Sequence, residues 1–198
     1  MIINRLLITG AAGRLGRIVR DHFYGKFEHI RLSDQTNMDT ARKGEEIIQC
    51  DLVERAQVEH MLEDVDAVVH LGGQPNEAEW DTVINSNLIG AINIWEGARK
   101  SLTNRVIFAS SNHAIGMHSR ARKIDHECEP RPDTRYGVSK AFGEDLGRLY
   151  SYKYGIRSFN LRIGSCFPKP TDARGLSTWL SHRDLCQLLD IGLTADYQ

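Results

Sequence analysis

Arg5-Leu-Leu-Ile-Thr9 runs directly into Gly10-Ala-Ala-Gly13-Arg-Leu-Gly16, and the joint between them decides the fold. The first run is short and apolar, as in a strand. The second carries three glycines and opens an amphipathic stretch at Arg14–Tyr24 that reads as a helix. A strand ending on such a turn brings free backbone N–H groups and the positive end of the helix dipole to one point, where phosphate can be held. The three glycines allow, in turn, a tight bend, close approach of backbone to a pyrophosphate, and close packing of helix on strand. The spacing is G-x-x-G-x-x-G rather than G-x-G-x-x-G, so its weight comes from its place after the first strand. A glycine-rich turn without a ligand is the plainer alternative. The reading sets Gly10, Ala12, Gly13, Arg14, Leu15 and Gly16 against a dinucleotide.

Outward from this joint, apolar runs alternate with longer amphipathic ones. Strands are expected at Leu6–Thr9, His29–Ser33, Ile47–Gln49, Ala67–His70, Val106–Ala109 and Ser158–Leu161. Helices are expected near Arg14–Tyr24, Val53–Leu62, Asp81–Lys100 and Tyr136–Tyr154. Alternation of this kind predicts an α/β fold, a doubly wound parallel sheet flanked by helices. Several strands are solidly apolar, as when both sheet faces are buried. Ile115–Thr134 lacks periodicity, and a segment of that length inside one domain reads as a functional loop.

The strand ends supply further candidates. Asp34 closes the second strand 18 residues after Gly16. A carboxylate there can accept hydrogen bonds from both ribose hydroxyls and repel a 2′-phosphate, which favours NAD over NADP. A solvated turn aspartate is the alternative. Asp51-Leu52, ending the third strand, would lie near adenine, and Leu71-Gly72-Gly73 after the fourth would let the cofactor pass close to the backbone.

The chain has 198 residues, 41% hydrophobic and 26% charged, with a formal net charge of -1. That is enough for one domain with a substantial core, taken here as residues 1–198. Charges of both signs are mixed throughout, so no basic face for nucleic acid is indicated. Cys50, Cys128, Cys166 and Cys186 are widely spaced, which argues against a zinc site and a disulfide framework; no metal is expected. The first strand is too short for a signal-peptide core or a membrane span, so a cytoplasmic protein without membrane partners is expected.

Tyr136-Gly-Val-Ser-Lys140 places a phenol and an ammonium one helical turn apart on one face. A free phenol has a pKa near ~10, so a tyrosine base working near neutrality needs roughly 4 kcal/mol of phenolate stabilisation. The lysine supplies part of this, and a positively charged nicotinamide would supply more. Ser111, after the fifth strand, can orient the same substrate oxygen. A Y-x-x-x-K pair alone is more often a surface pair; its force comes from conjunction with the glycine turn, Asp34 and Ser111.

That conjunction resembles the extended short-chain dehydrogenase/reductase superfamily, with its Rossmann-type fold and its sugar-nucleotide epimerases and dehydratases. Val69-His-Leu-Gly-Gly73, Phe108-Ala-Ser-Ser-Asn-His113, Leu161-Arg-Ile-Gly-Ser-Cys166, and Leu176-Ser-Thr-Trp179 with Ser181-His182, are similar to the uronate dehydrogenases within it. The resemblance implies NAD-dependent oxidation of a hexuronate, glucuronate or galacturonate, at its anomeric carbon to an aldarolactone. It implies that Tyr136, Lys140 and Ser111 are catalytic. Gln74, Ser111, Asn112, His113, Tyr136 and Ser165 would meet the sugar and Arg174 its carboxylate, within segments 111–134 and 163–182. Asn87, Tyr136, Lys140, Ile163 and Cys166 would join the cofactor-binding set, Asn87 as the helix asparagine that supports Lys140 through water or backbone. From the residues alone, Arg174 reads as a surface arginine, His113 equally as a packed histidine, and Asn87 as helix polarity.

Two departures accompany the resemblance. Relatives place a small polar residue after the glycine pair, where this chain has Gln74-Pro75-Asn76, and Pro75 cannot donate a hydrogen bond. Relatives also continue through further strands and helices, so the C-terminal part is expected to be shortened. The competing readings are a sugar-nucleotide epimerase or dehydratase and a non-catalytic NAD sensor. Apolar positions on the helices beginning near Asp81 and Tyr136 could serve a homodimer seam, and core packing explains them equally.

Overall fold

Leu6, Leu7 and Ile8 are all fully buried, although successive strand side chains point to opposite faces of a sheet. Both faces are therefore covered. The computed structural model describes residues 2–38, 40–170 and 172–196, and of Arg174 the backbone alone. Its main sheet has six strands, β1 (Arg5–Thr9), β2 (His29–Asp34), β3 (Glu45–Gln49), β4 (Ala67–His70), β5 (Arg105–Ser111) and β6 (Arg157–Ile163). They lie in the order β3-β2-β1-β4-β5-β6, every neighbouring pair parallel. The chain winds outward from β1, then returns to place β4 on its other side. Between these two strands the order reverses, and a crevice opens at their carboxyl ends. This is the Rossmann-type arrangement expected.

One face packs Leu6, Ile8, Ile30 and Leu32 under α1 (Arg14–Phe23) and α7 (His182–Thr194), through Val19, Phe23, Leu185 and Leu189. The other packs Leu7, Val68, Val106 and Phe108 under α2 (Arg55–Met61), α4 (Gly90–Lys100) and α5 (Arg135–Tyr154), through Val58, Met61, Trp95 and Tyr150.

The structure corrects several boundaries. Ser111 is the last residue of β5 rather than lying beyond it, and Asp51 stands two residues after the end of β3. The helix expected from Asp81 to Lys100 is α3 (Trp80–Val83), a π-helical turn (Ile84–Ile89) and α4. The wide turn faces Asn87 inward, where its amide is satisfied by Gln74 and Ser139, and a 3.6-residue period cannot register such a turn.

Beyond β6, a two-residue strand β7 (Ser165–Cys166) pairs in parallel with β8 (Trp179–Leu180) around the single turn α6 (Ala173–Leu176). The segment Ile115–Thr134 is irregular but pinned. Met117 N–H donates to Arg131 O at 2.9 Å and Arg131 N–H to Ala114 O at 2.9 Å. Arg162 donates to Cys128 O at 3.1 Å while forking onto the buried Glu144 carboxylate at 2.9 and 2.8 Å. Among the described residues, no helix is long and apolar enough to cross a membrane.

Candidate active site

At the end of β1, Gly10 has φ of 68°, and a Cβ there would stand 2.8 Å from the Gly72 nitrogen. A Cβ on Gly16 would overlap the Gly10 carbonyl oxygen. The turn is thus packed backbone to backbone, as glycine alone allows. Gly13 caps α1 without a side-chain acceptor, so the first-turn N–H groups stay free for an anion. Arg14 spans the turn, donating to the Cys166 carbonyl with its guanidinium 4.3 Å from the Phe167 ring centre.

A single cleft of about 740 Å³ runs from this turn to the Tyr136 end of α5. Gly10, Gly13, Arg14, Leu15 and Gly16 line its start, with Asp34, Asp51 and Leu52 to one side. Leu71, Gly72, Gly73 and Gln74 line the middle, and Ile163, Ser165 and Cys166 the opposite wall. Ser111, Asn112, His113, Tyr136 and Lys140 close the far end.

Two predicted site residues stand off the cleft lining. Ala12 does not line the cleft; its N–H donates to Asp34 Oδ2 at 3.0 Å, while Asp34 Oδ1 accepts from Thr36 N–H at 2.9 Å. Ala12 therefore orients the carboxylate. Asn87 also stands behind the wall. Its Oδ1 accepts from Gln74 N–H at 2.7 Å, and its Nδ2 donates to Gln74 O at 3.1 Å and Ser139 Oγ at 2.9 Å. Ser139 Oγ passes the chain on, donating to Tyr136 O at 2.7 Å. Asn87 thus ties the Gln74 loop to the first turn of α5 through the residue before Lys140. Arg174 falls on α6, and its side chain lies outside the described residues.

Ser111, Tyr136 and Lys140 converge through local structure. Ser111 ends β5 and caps the following 3₁₀ turn (Asn112–Ile115), accepting from His113 N–H at 3.2 Å. Thr134 caps α5 through Gly137 N–H at 2.8 Å, and Glu77 Oε2 takes Tyr136 N–H at 3.0 Å. Gly137 lets α5 start against the His113 carbonyl, which a Cβ would strike. The Ser111 hydroxyl, which donates to Asn112 Oδ1 at 3.3 Å, lies near enough to the Tyr136 phenol to lower its pKa in part. Lys140, nearly fully buried, carries Nζ 5.4 Å from the Tyr136 ring centre and 5.1 Å from that of Phe108.

Burial pushes the Tyr136 phenol up, and the Ser111 hydrogen bond draws it back in part. Burial brings Lys140 down to about 8. His70 sits behind Lys140, its Nδ1 2.7 Å from Thr9 Oγ1; burial, then the Lys140 charge, lowers it to about 3 and keeps it neutral. Lys140 therefore brings a positive charge to this end of the cleft. The arrangement suits proton transfer at a small alcohol held against a dinucleotide.

Some lining residues escaped the sequence reading. Phe167, Asp172 and Thr178 come from the β7–β8 segment, and Ser110 donates to Glu144 at 2.6 Å beside Ser111. The first three lie in irregular chain without periodicity, whereas Ser110 was readable as the neighbour of Ser111. All four cysteines are buried and free of disulfides. No cluster able to hold a metal ion is found among the described residues.

Comparison with known proteins places this architecture. The sequence pattern of the NAD dependent epimerase/dehydratase family matches residues 6–182. A uronate dehydrogenase of Pseudomonas putida is 46% identical over 191 residues, which are 96% of this chain and 71% of that protein. The crystal structure of a glucuronic acid dehydrogenase from Chromohalobacter salexigens superposes with a TM-score of 0.96 at 45% identity, covering 99% of this chain and 74% of the other. A mutant uronate dehydrogenase from Agrobacterium tumefaciens complexed with NAD superposes with a TM-score of 0.95 at 41% identity, again over 99% of this chain and 74% of the other. The chain belongs to the NAD dependent epimerase/dehydratase family, within its uronate dehydrogenases.

Proposed function

We propose that the protein oxidises a hexuronate, glucuronate or galacturonate, at its anomeric carbon with NAD as acceptor. The observation that carries this reading is the meeting of Ser111, Tyr136 and Lys140 in the same cleft as the glycine turn and Asp34. The relatives' activity adds the sugar acid. The anomeric carbon loses a hydride and its hydroxyl loses a proton, so the cyclic hemiacetal becomes a lactone. When bound, NAD supplies the hydride-accepting ring.

The chain's own residues do the rest. The free N–H groups at the start of α1 hold phosphate oxygens, and Asp34 accepts from ribose hydroxyls and repels a 2′-phosphate. Ser111 bonds the anomeric oxygen, and Tyr136 as phenolate removes its proton. Lys140 steadies the phenolate by opposite charge in a site of low dielectric. Gln74, Asn112, His113 and Ser165 are assigned to sugar hydroxyls. Arg174 is assigned to the carboxylate, which a guanidinium fork matches. The unpaired cysteines suit a reducing compartment, and the reading places the protein in the cytoplasm. Exposed Ile92 and Leu149 on α4 and α5 are offered as part of a homodimer seam.

The test is NADH absorbance with glucuronate, galacturonate and UDP-sugars. Uronate-dependent NADH formation is expected. Turnover of UDP-sugars without uronate oxidation would replace this reading with an epimerase, and NAD binding without either would leave a sensor.

A further inference from the structure

We infer that Asp133 is a positioning residue for substrate recognition: by holding the Nδ1 proton of His113 it turns Nε2 into an acceptor for a sugar hydroxyl. The inference rests on the uronate reading above and adds a residue to it. His113 lines the far end of the cleft, half-exposed, with its ring edge-on to Tyr136 at 5.9 Å between centres. Its Nδ1 stands 2.8 Å from Asp133 Oδ1. An ionised carboxylate only accepts, so the proton in this bond belongs to Nδ1; in the uncharged imidazole the other nitrogen then has only a lone pair to offer. Among the described residues, His113 Nε2 has no hydrogen-bond partner of its own.

Asp133 is itself held in place. Its carboxylate packs on Gly116, where a Cβ would overlap it, and Thr134 Oγ1 approaches Oδ1 at 3.4 Å. Asp133 N–H returns to His113 O at 3.3 Å, closing the short ribbon made by Ala114, Met117 and Arg131. The dyad therefore joins the chain leaving Ser111 to the chain entering Tyr136. A lone pair at Nε2 welcomes a hydroxyl hydrogen and repels a carboxylate, so this corner faces the polyol side of the sugar. The acid group then belongs to the Arg174 side.

Steady-state kinetics at saturating NAD test the dyad, with glucuronate as substrate. Asp133→Ala is expected to raise KM for glucuronate about 3- to 10-fold, the size of one neutral hydrogen bond. It should leave kcat within about twofold and KM for NAD unchanged, as for lost ground-state binding. Asp133→Asn keeps an oxygen acceptor for Nδ1–H and is expected to restore KM. In a His113→Ala background, Asp133→Ala should add nothing further. An equal KM rise with or without His113, or an unchanged KM in Asp133→Ala, overturns the proposal. Should Asp133→Ala fail to fold, nitrogen NMR of the wild-type imidazole decides: protonation at Nδ1 is expected, and protonation at Nε2 alone contradicts it. Wild type that forms no NADH from any uronate ends the functional reading itself, an outcome seen before any variant is measured.

Discussion

At the scale of single residues, the proposed base, Tyr136, is held back by its own burial. The Tyr136 phenol is pushed up, and the Ser111 bond offsets only part of this. Positive charge must make up the difference, and Lys140 supplies it below about 8, where its ammonium persists. Lys140→Met is therefore expected to lower kcat by about 100-fold and to move the acid limb of the kcat–pH profile to higher pH. A pH–rate profile checks this; an unmoved limb would remove the lysine from phenolate stabilisation. Asp34→Ala removes the proposed ribose acceptor and the anchor of Ala12 N–H together. KM for NAD should rise about tenfold while NADP becomes a better substrate, as read from initial rates with each cofactor. Tyr136, Lys140, Ser111 and Asp34 were legible in the sequence because each sits at a fixed offset from a strand end or helix start. The partners of Asn87 and Ala12, and the Glu77 contact to the first turn of α5, were not, because these contacts join segments distant in the chain.

At the scale of elements, the outermost strand β3 depends on one buried carboxylate. Glu45, its side chain fully covered, bonds Arg20 of α1 at 2.6 Å and Arg42 at 2.7 Å. Although burial pushes this carboxyl up, the hydrogen bonds from Arg20 and Arg42 prevail and bring it to about 2, from 4.5. A carboxyl lowered on folding contributes stability that is fully present above 4.5 and lost as pH falls toward about 2. Glu45→Gln is expected to lower Tm at neutral pH by roughly 5 °C. The gap from wild type should close as pH falls toward about 2, by calorimetry at a series of pH values. A gap that persists at the acid end would mean packing rather than charge is lost. The main-sheet strands and their helices were legible because apolar runs and amphipathic stretches alternate. α7 was legible too but went unread: Ser181 caps it, accepting from Asp184 N–H at 3.0 Å, and Leu185, Leu189 and Leu193 mark its buried stripe. The π turn and the two-residue strands β7 and β8 carry no period to read.

At the scale of the molecule, function follows from the strand order. The reversal between β1 and β4 opens the crevice that the glycine turn, the Gly72-Gly73 passage and the end of β5 all border. The candidate cofactor and substrate residues from distant parts of the chain thus line one cleft, which is why a topology legible from alternation also pointed to the candidate site. The substrate wall beyond β6 was less legible, since it is built from short pieces held by Ser165 and Thr178. In the proposed reaction everything turns on the Tyr136 phenolate taking the proton from the sugar. The most direct measurement is NADH formation from glucuronate by wild type and Tyr136→Phe, at saturating NAD and equal folded concentration. The account predicts a loss of about a thousandfold in kcat with NAD affinity little changed; a variant retaining turnover within about tenfold of wild type would contradict it.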